Sequence, residues 1–158
     1  MSGLQYYAYP TAGEEKLKQH GYSQAVRVGD RIECAGQGAR LGSPQQPLPP
    51  TLTQQIDQAF SNVQLNLQHA GGLGWSQVFR VNSYHVDMSD DALAAMTRNF
   101  KKWMPHHAPI WTCVGVERLG DQEMKVEIEV VALDGEGAER AREAREGGRG
   151  EGKEKGEG

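Results

Sequence analysis

The sequence predicts an α+β fold, a single antiparallel-rich mixed sheet with two helices on one face. Three features predict it. Residues 51–70 and 89–104 carry apolar side chains at helical spacing. Shorter segments around them alternate as half-buried strands, giving the order strand, strand, strand, helix, strand, helix, strand, strand. The last two strands, 109–117 and 125–130, are separated by a turn through Gly120, Asp121 and Gln122, which predicts an antiparallel hairpin.

Residues 4–10, with Tyr6, Tyr7 and Tyr9, predict a short aromatic strand, and the polar stretch 11–20 a loop or a single helical turn. Residues 23–28 and 31–36 flank Gly29 and Asp30, an order that suits a type II′ hairpin turn. Val26 and Val28 share a face, and Ile32 and Cys34 are placed to pair with them. The glycine-rich run 36–42 follows a strand but has neither GxGxxG nor the P-loop pattern, and it leads to no helix N-terminus. It is either a backbone bend that faces a small ligand or a bulge and loop.

Thr51 and Gln54 have capping-box spacing after Pro50, and Ile56, Phe60, Val63, Leu67 and Ala70 form the buried stripe. Gln55, Gln58, Asn62 and Asn66 fall outside that stripe, and Gly71 and Gly72 end the helix. Residues 78–86 have apolar groups on both faces, as a central strand or a subunit contact does. Ser89 caps the second helix, Leu93, Met96, Phe100, Trp103 and Met104 make its stripe, and Pro105 stops it. Val126, Ile128 and Val130 are assigned to the helix-covered face of the sheet. The opposite face then carries Glu127, Glu129, Trp111 and Cys113, carboxylates beside an indole and a thiol. A semi-apolar uncovered face predicts oligomerisation.

At 158 residues the chain suffices for one domain, assigned to residues 1–134. Residues 135–158 use only Gly, Glu, Ala, Arg and Lys and predict a disordered tail, with at most a transient helix over 138–146. The net charge is −4, and the tail's seven acidic and six basic residues leave the body near −3, which disfavours a nucleic-acid surface. No apolar run reaches membrane-spanning length and no signal-peptide pattern opens the chain, so a cytoplasmic setting with reduced Cys34 and Cys113 is expected. The five histidines lack metal-ligand spacing; neither a metal nor a cofactor is expected.

Several segments coincide with one family in the right order. They are Tyr22-Ser23-Gln24-Ala25-Val26, Gly36-Gln37, Gln54 through Gly71 of the first helix, Asp87, and Val126-Glu127-Ile128-Glu129-Val130-Val131-Ala132. From about Gly21 to Leu133 the chain resembles the Rid (YjgF, reactive intermediate deaminase) family. The resemblance implies a chorismate-mutase-like homotrimer with small-molecule ligands in clefts between subunits, and hydrolysis of 2-imino acids to 2-oxo acids with release of ammonia. By the same resemblance Glu127 positions the water, and Tyr22, Gly36 and, in a less closely matched stretch, Thr97 line the cleft. The arginine that holds the substrate carboxylate falls on Trp111, in Pro109-Ile110-Trp111-Thr112.

An indole offers one N–H and no charge, where an arginine fork gives two charge-assisted hydrogen bonds. Losing that pair costs a few kcal/mol, a factor of about a hundred in affinity. The expected substrate is therefore an imine, enamine or related intermediate other than a simple 2-imino acid, with Trp111 as a flat wall beside Cys113. Hydrolytic deamination and tautomerisation both fit. Glu127 can serve as a base or form an intersubunit salt bridge; Tyr22 can face the ligand or close a hairpin edge; Cys113 reads as a packed thiol or a nucleophile. A non-catalytic metabolite-binding trimer is the alternative, and ribonuclease activity is the weakest reading for so acidic a body.

Overall fold

The structure, a computed structural model, describes residues 3–40 and 46–150, the last six by backbone alone. Six strands form one sheet in the order β1 (Gln5–Tyr7), β2 (Ala25–Val28), β3 (Arg31–Gln37), β6 (Val126–Leu133), β4 (Val78–His85), β5 (Ile110–Gly115). Every neighbouring pair is antiparallel except β4 and β5, which run parallel. The helices are α1 (Ala12–His20), α2 (Leu52–His69), α3 (Asp90–Trp103) and α4 (Gly135–Gly150).

The expected hairpin between the last two strands does not form. Parallel neighbours need a long crossover, and α3 supplies it between β4 and β5. β5 thereby reaches the sheet edge, while β6 slots between β3 and β4. The two strands suit these places. β6 buries Val126, Ile128, Val130 and Ala132 in strict alternation, whereas four of the six β5 residues are exposed.

Register then fixes the faces. Trp111 lies beside Val81, which lies beside Val130, all on the helix-covered side. Trp111 meets Phe100 of α3 edge-on at 5.0 Å between ring centroids, and its Nε1–H donates to Ser83 Oγ at 2.9 Å. Cys113 pairs with Ser83, which in turn pairs with Ile128, on the same side. The expectation that Trp111 and Cys113 share a face with Glu127 and Glu129 is thus corrected. Thr112 and Val114 align with Glu129 and Glu127 instead. The hairpin assumption caused the error, because pairing β5 with β6 sets a different phase from pairing it through β4.

A bulge between Val78 and Arg80 makes Val78 and Val81 bury together, where plain alternation would separate them. In β2 the core-facing positions are Ala25 and Arg27, not Val26 and Val28. Gly29 takes φ +59° and Asp30 stays out of the left-handed region, as a II′ turn requires. The capping box at Thr51 is present, and the α2 stripe is fully buried. Asn62, Asn66 and Gln55 are buried as well, against expectation, because each amide binds main chain. Asn62 donates to Gly38 and Arg40 carbonyls, Asn66 to Gln24, and Gln55 to Pro49 and Glu123. On α3, Met96 and Met104 are buried as expected, joined by Ala92, Ala95 and Asn99, while Leu93, Phe100 and Trp103 are half-buried.

Residues 11–20 form a helix of nine residues rather than a loop or single turn, ending on Gly21 at φ +75°. Residues 135–150 are helical too, where a disordered tail was expected; residues 151–158 lie outside the described residues. An anchor for this helix is Asp134. Its carboxylate receives Arg27 Nη2 at 2.8 Å, Gln77 Nε2 at 2.9 Å and the Gly137 N–H at 3.1 Å, so it caps α4. Arg27 Nη2 also reaches the Ala70 carbonyl at the end of α2. Further along α4, Arg142 pairs with Asp30 at 2.5 Å.

Burial pushes the Asp134 carboxyl up, but bonds from Arg27, Gln77 and Gly137 outweigh it and hold it below the usual range. Asp134→Ala leaves Arg27 buried without its partner and should cost about 3–5 kcal/mol in chemical denaturation. A depressed carboxyl stabilises the fold above its unfolded pKa and loses that share as pH falls through its folded pKa. The variant's stability should accordingly fall less than the wild type's on acidification.

Candidate functional site

A cavity of about 530 Å³ opens where α1, the end of β3 and the loop leading into β6 converge. Three of the residues singled out in the sequence line it: Tyr22, Gly36 and Glu127. Thr97 is exposed on α3, donating its hydroxyl to the Ala94 carbonyl, and Trp111 and Cys113 do not line the cavity. Cys113 Sγ lies 3.3 Å from Met88 Sδ, a thioether that cannot act as a base. Cys34 is buried, which pushes its thiol up to about 12.

Glu127 and Gly36 are made for one another. A Cβ on Gly36 would stand 2.5 Å from Glu127 Cγ and 2.6 Å from Cδ, so only glycine lets that side chain lie across β3. The β3–β6 pairing shifts register between Cys34 and Gln37, and this irregularity creates the gap. The glycine-rich run thus begins at a register shift, and its Gly36, Gln37, Gly38 and Arg40 line the cavity, while Leu41 and Gly42 lie outside the described residues.

Half-buried Glu127 has its carboxyl pushed up from its ordinary value, mainly by burial; Lys16 draws it down and Glu129 adds to the rise. Among the described residues no ion pair ends on Glu127. Glu129 instead accepts from Asn82 at 2.7 Å and Tyr84 at 3.1 Å on the uncovered face.

The cavity floor is held by a chain of amides. Tyr9 Oη donates to Gln37 Oε1 at 2.8 Å, and Gln37 Nε2 donates to Gln24 Oε1 at 3.0 Å. Burial raises the Tyr9 phenol to about 12, with Tyr22 adding to the rise, so Tyr9 is a fixed donor and not a proton source. Tyr22 stacks on His20 at 6.4 Å between centroids and is 42% exposed, leaving its hydroxyl beside the opening. On the far wall Asp121 pairs with Arg40. Burial raises the Asp121 carboxyl, but the Glu123 N–H, Arg40 and Lys16 together bring it below its ordinary value.

Sequence reasoning missed the α1 wall: Glu15, Lys16, Gln19 and His20 all line the cavity with Ala12. Their spacing, 12, 15, 16, 19 and 20, is one face of a helix. That signal is present in the sequence, but an apolar-stripe search passes over a stripe that is polar. Met124 and the Arg40–Asp121 pair gave no local signal, since loop closure alone brings them in.

No helix among the described residues is long and apolar enough to cross a membrane, and no cluster of three or more His, Cys, Asp or Glu among them could hold a metal ion.

A mixed sheet with crossover helices on one face and a carboxylate-bearing cavity at its β3–β6 end defines a YjgF-type domain. The chain belongs to that family: the profile described as Endoribonuclease L-PSP matches residues 14–134. The RutC family protein YjgH of Escherichia coli K12 is 29% identical over 121 residues, 76% of this chain and 89% of that protein. The fission yeast protein mmf1, named as mitochondrial, is 31% identical over 122 residues, 75% of this chain and 72% of that protein. Among solved structures, yeast Mmf1 has a TM-score of 0.69 at 24% identity, covering 83% of this chain and 98% of its own. A structure of protein YJGH has a TM-score of 0.66 at 29% identity, covering 83% and 95%.

Gly36→Ala provides a direct probe of the Glu127 seat. Its Cβ meets the Glu127 side chain from Cγ outward and no backbone atom, so rotation of Glu127 about χ1 relieves the clash and the fold should hold. We expect an unchanged thermal midpoint with loss of whatever the Glu127 carboxylate does, and a crystal structure showing that side chain swung off β3.

Proposed function

We propose that this protein is a Rid-type hydrolase for an imine, enamine or related reactive intermediate other than a simple 2-imino acid. The supporting observation is the half-buried Glu127 carboxylate, without an ion pair among the described residues and seated on Gly36 in a cavity large enough for more than a small acid. In this reading Glu127 accepts a proton as water adds to the C=N carbon. The protonated nitrogen then leaves as ammonia while the carbonyl forms. The Tyr22 hydroxyl at the opening orients the nitrogen or the attacking water. Tautomerisation of an enamine would need the same carboxylate as its base.

The working assembly in this proposal is a homotrimer. Within one chain Glu127 and Trp111 lie on opposite faces of the sheet, so they can meet only across a subunit boundary. Tyr84, Glu129 and Val114 occupy the uncovered face that would be shared. Trp111 of one protomer, with Cys113 on the same side of β5 and with exposed Thr97 of α3, would then wall the cleft of the next. No metal or other cofactor has a part in it. The cytoplasm, with both cysteines as free thiols, is the setting we assign. Ribonuclease action is disfavoured because the cavity carries Glu15, Asp121 and Glu127 against Lys16 and Arg40, a poor surface for a polyanion.

The reading that competes is a non-catalytic trimer that binds a metabolite, favoured by the indole at the position where the resemblance implies an arginine. Ammonia release from freshly generated imines separates the two. Glu127→Gln should lower kcat by about 10²–10⁴-fold while ligand binding persists. If wild type and Trp111→Arg are both inactive and Glu127→Gln binds ligand normally, the hydrolase proposal fails.

The rate should also report Glu127 ionisation. A base must be deprotonated, so kcat/KM should rise with pH through an inflection above the ordinary carboxylate value of 4.5. That inflection should be absent in Glu127→Gln. Stability has the opposite sign: a raised carboxyl stabilises the fold below its unfolded pKa and loses that contribution as pH rises through its folded pKa.

A further inference from the structure

The geometry points to α1 as a lid over the cavity, hinged at Thr11 and Gly21, whose opening admits the ligand. The lid rests on that cavity being the ligand site and not on the reaction carried out there.

Residues 8–24 leave the sheet after β1 and return to it as β2, and the excursion is closed at its base by the Gln24 N–H, which donates to the Tyr7 carbonyl at 2.8 Å. α1 is the middle of that flap. Both of its ends take a left-handed φ, +66° with ψ −102° at Thr11 and +75° at Gly21. Glycine adopts such a φ freely. Thr11 does not, for it is β-branched, and it is the one non-glycine residue with positive φ among the described residues. Strain of this kind gathers at segments that change conformation. Thr11 is exposed, and its hydroxyl donates to the carbonyl of adjacent Pro10 at 2.6 Å.

The helix is seated at one end. Ala12 and Gly13 are buried at its start, where a Cβ on Gly13 would stand 3.1 Å from Gln24 Cγ and 3.2 Å from the Tyr9 ring. Beyond them Leu17, Lys18, Gln19 and His20 are all exposed, Leu17 to 43%. No side chain of residues 14–20 makes an ion pair with another element among the described residues, Lys16 included. The face laid against the cavity is polar, and Glu15 Oε2 is buried there without a hydrogen-bond partner. An unanswered carboxylate oxygen disfavours the closed position, and opening returns it to water. The packed first turn is therefore the pivot, and the exposed half beside Tyr22 is the end that lifts. Nine residues are too few for a helix to persist in water, so an opened lid also loses its helical hydrogen bonds.

The test reads helix opening and cavity access together, in the full-length chain carrying Met124→Cys and Cys113→Ser. Met124 lines the cavity against Gly38, so the rate at which a bulky polyethylene-glycol maleimide labels a cysteine there reports entry. Hydrogen exchange at amides 14–20 reports the helix, and these should exchange faster than those of α2. Glu15→Met removes the unanswered carboxylate and keeps a long side chain, so it should slow exchange and labelling together by about tenfold. Loss of an acidic group from the first turn by itself weakens a helix, so a Glu15 with no part in a lid predicts the opposite sign. Thr11→Gly relieves the hinge and should also slow both rates. Glu14→Gln, exposed in the same turn, should slow neither. Parallel slowing in either Glu15→Met or Thr11→Gly supports the lid. Slowing in neither overturns it, and so does exchange that changes while labelling stays constant, since that describes a fraying helix that gates nothing. Absence of ammonia release leaves these rates untouched and counts against the hydrolase reading alone.

Discussion

The place of β6 between β3 and β4 is the constraint on which the rest depends. Once the β4–α3–β5 crossover has sent β5 to the edge, β6 is the strand that joins the two halves of the sheet. Its alternation does two jobs at once. Val126, Ile128, Val130 and Ala132 fill the core beneath α2 and α3, and Glu127 and Glu129 are thereby forced to the other side. A carboxylate cannot drift from that side without moving a buried neighbour into water. The strand that closes the core therefore also sets the side on which both carboxylates lie.

Many of the buried polar groups find main chain, a neighbouring amide or an opposite charge, although Glu15 Oε2, His85 Nδ1 and Trp103 Nε1 are buried without a hydrogen-bond partner among the described residues. Arg27 occupies a core position of β2 because Asp134 and the Ala70 carbonyl receive it. The amides of α2 and the Tyr9–Gln37–Gln24 chain tie helix, sheet and cavity floor together. The cavity is where charges depart from that pattern: half-buried Glu127 and Lys16 make no ion pair among the described residues, and Glu15 Oε2 is buried there without a hydrogen-bond partner. Interiors rarely leave charges so placed unless something else answers them. Function is argued from that departure.

Much of the fold was legible because its signals are local. The capping box at Thr51, the stripe of α2, the Ser89 cap and the Gly29 turn each depend on residues a few positions apart. Glu127, Tyr22 and Gly36 were also within reach, through a resemblance spread along the chain, and the structure gathers them at one cavity. What failed was non-local. Pairing 109–117 with 125–130 was the economical choice for adjacent strands, but a parallel crossover displaced it and turned Trp111 and Cys113 to the opposite face. The α1 helix escaped notice for a different reason: its cavity-lining stripe is polar, and apolar periodicity is blind to it.

The sequence by itself determined which segments are helix or strand through most of the chain and which side of β6 is buried, and its resemblance to a family pointed to Gly36 and Glu127 as residues of one cleft. These follow from periodicity, capping chemistry and motif order, all written along the backbone. Tertiary structure decided who neighbours whom. It put β5 at the edge, used a buried Asp134 to hold Arg27 and start α4, and brought Lys16 into the field of Glu127 from more than a hundred residues away. Strand order and side-chain convergence are set by competition among distant pairings for a single core, and no local pattern records its outcome.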